Sequence, residues 1–189
     1  MTPYMEAAIS KRIADKTVDY NLPLQDFICQ CYVNLSPNSY GSHIEEKIKR
    51  ELNAFYVSAS EERGDFMIAN KYYEFKVSYL TQKGESYNIT HLRPWQNINR
   101  YLFCFVDCDR YFKPNFYVVD KNIINKMKLG FMNGTPHANS NNINVEMRAT
   151  VKVGEDNHKT IIKHNLLPDT SFESLQKYMN DERKSFQQK

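Results

Sequence analysis

The chain is 189 residues long, 41% hydrophobic and 25% charged, which excludes a disordered segment and suits one packed domain spanning 1–189. Its net charge of +3 is mildly basic, and no block of five like charges occurs. A protein held on DNA by charge alone usually looks more extreme, so composition permits a nucleic-acid partner without establishing one.

In chain order, Pro3–Ala14 and Leu24–Leu35 read as helices, the first starting from Thr2-Pro3. Ser36-Pro37-Asn38-Ser39-Tyr40-Gly41 reads as a break. A third helix is expected from Ser42, an N-cap with Glu45 three residues on, to about Phe55. Ile44, Ile48, Leu52 and Phe55 would form its buried stripe. The period then changes. Asp65–Ile68 and Tyr72–Tyr79 predict two strands joined at Ala69-Asn70-Lys71. Tyr101–Val106 and Phe116–Val119 predict buried strands, Lys121–Leu129 a helix, Asn144–Val153 a strand, and Ser171–Gln187 a closing helix capped at Thr170 or Ser171. Between them, Asn133–Asn142 is polar and turn-rich, an exposed loop. The order predicts an α/β sandwich with a small mixed sheet.

Four cysteines, Cys29, Cys31, Cys104 and Cys108, lack zinc-site spacing, and the apolar neighbours of Cys104 and Cys108 make those two read as small buried hydrophobes. No signal-peptide pattern and no apolar run of about 18 residues occurs. A reduced, cytoplasmic protein with no membrane partner is expected.

The chemistry concentrates in Arg63-Gly64-Asp65-Phe66-Met67-Ile68 and Tyr72-Tyr73-Glu74-Phe75-Lys76-Val77-Ser78. Two apart on a strand, Glu74 and Lys76 share one face, while Tyr73, Phe75 and Val77 pack the other. Antiparallel pairing across the short turn brings Asp65 beside Glu74. Two adjacent carboxylates repel unless a cation lies between them, and a hard divalent ion, Mg²⁺ above all, answers that need. Such an ion polarises a phosphodiester, and the neighbouring lysine adds positive charge where negative charge develops. The bland alternative is a solvated salt bridge on a hairpin.

Asp65, eight intervening residues, then Glu74-Phe75-Lys76 resembles the PD-(D/E)XK nuclease motif of type II restriction endonucleases. Gly64 stands where that motif has proline. The resemblance implies a restriction-endonuclease-like three-layer sandwich, a small mixed β-sheet flanked by helices. It also implies Mg²⁺, replaceable by Mn²⁺, with Asp65 and Glu74 as metal ligands and Lys76 positioning the attacking water. Family members place a glutamate on the upstream helix, and Ser39–Glu46 fits that pattern. Glu45 is then the fourth catalytic and metal-binding member, preferred over Glu46.

The resemblance further implies a helix near the phosphate backbone after the lysine strand, so Arg93 and Gln96 are DNA-contact candidates; equally, Leu92 and Trp95 could be core with Pro94 opening a helix. His137, Asn139 and Asn141 of the polar loop are candidates for reading base edges, since asparagine pairs well with adenine. The expected substrate is double-stranded DNA. Two cuts require two sites, so a second nuclease protomer is expected, in a homodimer or as a larger DNA-recognising subunit. The alternatives are a DNA repair or junction-resolving nuclease of the same fold, and a non-catalytic DNA-binding or interaction module.

Overall fold

The computed structural model describes residues 17–57, 62–80, 85–132 and 145–188. The expected helix Pro3–Ala14 and the expected loop Asn133–Asn142, with His137, Asn139 and Asn141, lie outside them.

Two helices open the described chain. Helix α1 (Leu24–Asn34) buries Phe27, Ile28 and Cys31 and ends where Leu35 turns extended. Ser36 is also extended, at φ −71° and ψ 157°, as expected of a residue that precedes proline. Pro37 then starts helix α2 (Pro37–Glu51) directly. The expected break over Ser36–Gly41 is thus only the Leu35-Ser36 bend, and the N-cap is Ser36 rather than Ser42. Proline lacks an N–H but needs none at a first helical position, where its fixed φ is already helical. The stripe of Ile44, Ile48 and Leu52 is buried as expected. Phe55 does not join it: Asn53 leaves the helix at φ +47°, and Phe55 stands exposed in the two-residue strand β1 (Phe55–Tyr56).

Strands β2 (Phe66–Ile68) and β3 (Lys71–Tyr79) form the expected hairpin. Its two-residue turn, Ala69-Asn70, has φ of +50° and +58°, the mirror-image turn whose twist suits antiparallel strands. Next come β4 (Ser86–Leu92), β5 (Arg100–Asp107) and β6 (Lys113–Asp120). A 3₁₀ helix occupies Lys121–Lys126, where a longer α-helix was expected. Then follow β7 (Gly130–Phe131), β8 (Met147–Lys152), α3 (Asp156–Lys163) and α4 (Phe172–Gln187). Ser171 caps α4 by accepting from the Ser174 N–H at 3.1 Å.

The main sheet has the order β1-β2-β3-β5-β6; β3 and β5 run parallel and all other neighbours antiparallel. A second sheet has the order β4-β8-β7. The parallel connection from β3 to β5 therefore passes through a strand of the second sheet. The helix expected after the lysine strand is not there: Asn88–Leu92 belongs to β4, and Pro94–Gln96 forms a turn.

The main sheet separates two cores. Leu102, Cys104 and Val106 pack with Phe27, Ile44, Ile48, Leu175 and Met179 of α1, α2 and α4. Tyr101, Phe103 and Phe105 face Tyr87, Ile89, Ala149 and Val151 of the second sheet, and Ile161 of α3. With both faces covered, β5 is buried at every position from Tyr101 to Val106, hence its unbroken apolar run. The architecture is mixed α/β, as expected. One flank, though, is chiefly a three-stranded sheet rather than helices. Cys29, Cys31 and Cys104 are buried free thiols, and burial pushes those of Cys29 and Cys31 up to about 11 and 12.

Candidate active site

Alternation along β3 decides which side chains meet. Tyr73, Phe75 and Tyr79 point into the helical core. Glu74 and Lys76 share the opposite face, beside Tyr101 and Phe103, their register partners on β5. Continuing the pairing past Phe66↔Tyr73 sets Asp65 across from Glu74. Two bonds pin it there: the Asp65 N–H donates to the Tyr73 carbonyl at 2.8 Å, and the Phe75 N–H donates to Asp65 Oδ2 at 2.7 Å.

Gly64 prepares that placement. Its φ is +72°, and a Cβ there would lie 2.6 Å from the Tyr73 carbonyl oxygen and 2.9 Å from Ile98 Cγ2. Proline, locked near −65°, cannot adopt this conformation, so the local backbone excludes proline at this position. Gly64→Ala should cost roughly 2 kcal/mol, read as a lower thermal midpoint, because it adds both φ strain and overlap with fixed backbone.

The carboxylates act on one another electrostatically. The Asp65 carboxyl is pushed up to about 7, first by burial, then by the negative charges of Glu74 and Glu45; Lys76 and the Phe75 N–H oppose the shift. Glu45 on α2 thus acts on Asp65, while its own carboxylate pairs with Lys49 at 2.8 Å. Glu46 is engaged elsewhere, with Arg50 at 2.7 Å and the Tyr56 hydroxyl at 2.6 Å. Glu74 is almost fully buried, and both its oxygens are held: Lys76 Nζ lies 2.5 Å from Oε1, and Gln96 Nε2 donates to Oε2 at 3.1 Å.

Gln96 was a DNA-contact candidate, but it is only 1% exposed and orients Glu74 instead. Its turn is anchored by the Lys121 ammonium on the Gln96 carbonyl and by the Asn99 N–H on Tyr72 O at 2.9 Å. Arg93 is drawn aside to Glu146, its Nε 2.7 Å from Oε1. Burial also raises the nearby Tyr101 hydroxyl, and the Glu74 charge adds to it. The Gln96–Glu74 bond spans 22 residues and leaves no periodic trace, so sequence reasoning could not assign it.

Among the described residues, no three His, Cys, Asp or Glu side chains converge closely enough to form a metal cage by themselves. Asp65 and Glu74 stand opposite each other in the β2–β3 pairing, and the Glu74 charge adds to burial in making Asp65 reluctant to ionise. No helix among the described residues is long and apolar enough to cross a membrane.

Comparison with known proteins finds no family profile that matches the chain and no curated protein with significant similarity to it.

Proposed function

We propose that the chain is a magnesium-dependent endonuclease of the PD-(D/E)XK type that hydrolyses phosphodiester bonds in double-stranded DNA. The observation that carries this reading is the convergence of Asp65, Glu74 and Lys76 on one patch, with Glu45 close enough to raise Asp65. The mixed sheet with helices on one face supports a restriction-endonuclease-like assignment; the second flanking sheet is this chain's own departure.

Asp65 and Glu74 are the residues that would hold Mg²⁺ or Mn²⁺, with Glu45 adding negative charge behind them. When bound, the ion polarises the phosphodiester and acidifies water. The chain's own residues do the rest. Gln96 holds the Glu74 carboxylate in one orientation, and the Phe75 N–H does the same for Asp65. Tyr101 and Phe103 exclude water from one side, which strengthens every charge interaction there. Lys76 carries the positive charge that steadies the attacking water and the developing phosphorane. One chain supplies one such site, so double-strand cleavage calls for a second protomer, in a homodimer or as a larger DNA-recognising subunit.

A non-catalytic interaction module is the second reading, favoured by the direct contact of Lys76 with Glu74 Oε1. Incubation with mixed plasmid DNA and Mg²⁺, alone and with any protein encoded beside it, separates the two. Cleavage that EDTA stops and that Asp65→Ala lacks is the expected result. Intact plasmid throughout, with no Mg²⁺ binding by calorimetry, rules the nuclease reading out.

A further inference from the structure

A second charged cluster lies where β4 hands the chain to the Gln96 turn. Glu146 has no solvent exposure, yet two side chains hold it: Arg93 Nε lies on Oε1 and His91 Nδ1 on Oε2, each at 2.7 Å. Burial alone would raise its carboxyl, but the hydrogen bonds from His91 and Arg93 and their charges outweigh that, and the net shift is downward. A carboxylate is therefore held charged in the interior by two donors brought from 53 and 55 residues away.

The backbone is bent to make this possible. His91 sits at φ +54°, at the irregularity between Ile89 and Leu92 in the β4–β8 pairing, and its N–H donates to Met132 Sδ at 3.3 Å. A bulge of this kind re-aims the side chain it carries. The bulge turns the ring toward Glu146 and leaves it nearly half exposed, with 44% of its side-chain surface open.

Each of the two side chains uses one nitrogen on Glu146. Among the described residues, His91 Nε2 and the two terminal nitrogens of Arg93 have no protein partner. Arg93 also packs its guanidinium 5.9 Å over the Trp95 ring, which restrains the plane of its fork. Two side chains share one buried carboxylate, so Arg93 keeps spare donors and His91 keeps a free ring nitrogen. The Arg93 carbonyl accepts from the Gln96 N–H at 3.1 Å, and Gln96 touches Glu74. The cluster and the carboxylate site are thus consecutive along one short turn.

We infer that His91 and Arg93, fixed by Glu146, form an anion subsite that takes a phosphate of the substrate strand beside the one to be cut. The inference rests on the phosphodiester-hydrolysing reading of the Asp65–Glu74–Lys76 site. Arginine suits the role because its planar fork meets phosphate oxygens in pairs, and a pre-oriented imidazole adds a third donor when protonated. Glu146 is a positioning residue that fixes both groups.

The test titrates inorganic phosphate into the full chain and follows the imidazole nitrogen signals of His91, assigned with His91→Gln. The expected result is saturable displacement of the His91 Nε2 signal in the millimolar range, weakened about 10-fold in Arg93→Lys, which keeps the charge but loses the fork. An unmoved His91 signal, or an equal response in Arg93→Lys, overturns the inference. Because His91 is half exposed, His91→Gln should fold and serves as the second measure. With cleaved plasmid as readout, it should lower cleavage about 10-fold at moderate salt and flatten the salt dependence by about 0.9 in log–log slope, the loss of one phosphate contact. Phosphate capture at His91 by a chain that does not cut DNA sinks the nuclease reading and leaves the subsite standing. Cleavage that His91→Gln leaves untouched, with no phosphate response, does the reverse.

Discussion

Lys76→Ala should lower plasmid cleavage by about 10²–10³-fold or more while leaving DNA affinity, measured in Ca²⁺ with any required partner present, within about 3-fold. The lysine is mostly buried, with its ammonium 2.5 Å from Glu74 Oε1, so its charge acts inside a largely water-free patch. Removing it takes away transition-state stabilisation but few points of contact with a long duplex. It also leaves the buried Glu74 carboxylate without its counter-ion, at a cost of about 3 kcal/mol. The variant should therefore melt lower than wild type without divalent ions and recover part of that loss with Mg²⁺. Calorimetry should show tighter Mg²⁺ binding in Lys76→Ala, because Oε1 is released. Cleavage at the wild-type rate would remove Lys76 from the mechanism, and unchanged Mg²⁺ affinity would remove Glu74 as its ligand.

The second large effect concerns stability. The Asp65 carboxyl ionises near pH 7 in the folded chain, against 3.8 when unperturbed, because of burial and then Glu74 and Glu45. Below pH 3.8 both states hold the proton and the group contributes nothing. Between there and about pH 7 the unfolded chain has released it and the folded chain has not, so folding stability falls as pH rises. Above that window the penalty is complete. Asp65→Asn keeps an acceptor for the Phe75 N–H and abolishes the charge. In the absence of divalent ions it should match wild type near pH 4 and exceed it at pH 8 by about 2 kcal/mol, or roughly 4–8 °C in thermal midpoint. Millimolar Mg²⁺ should close the gap by stabilising wild type alone. A difference that stays constant from pH 4 to 8 would mean that Asp65 carries no such burden. A side chain that destabilises the fold unless a cation is bound is the mark of a site kept for function.

Several elements were legible in the sequence because their signals are local. The two-residue alternation of Tyr73-Glu74-Phe75-Lys76 separates core from site, and the structure keeps that separation. The apolar run of β5 indicated a strand covered on both faces. Helix α2 was found by Ile44, Ile48 and Leu52 but misplaced at both ends. Its start lies in Pro37, Asn38, Ser39 and Gly41, residues that usually mark breaks, but proline at a first helical position opens a helix instead. Phe55 matched the helical period but lies beyond the turn that Asn53 makes, a backbone event with no periodic signature.

By itself, then, the sequence determined that Glu74 and Lys76 share a strand face and that Asp65 opens the strand hairpinned to it. Spacing within one hairpin leaves the backbone little other choice. Only the tertiary structure decided the surroundings. It put Gln96 on Glu74, set Glu45 rather than Glu46 near Asp65, and joined His91 and Arg93 to Glu146. The Gln96 and Glu146 contacts depend on where the chain goes after β3. It crosses into a second sheet and returns parallel through the Gln96 turn, and partners separated by 22 to 55 residues are chosen by that path, not by any local period. Gly64 follows the same division: visible in the sequence, it acquires its reason only when the Tyr73 carbonyl and Ile98 are seen closing over the position.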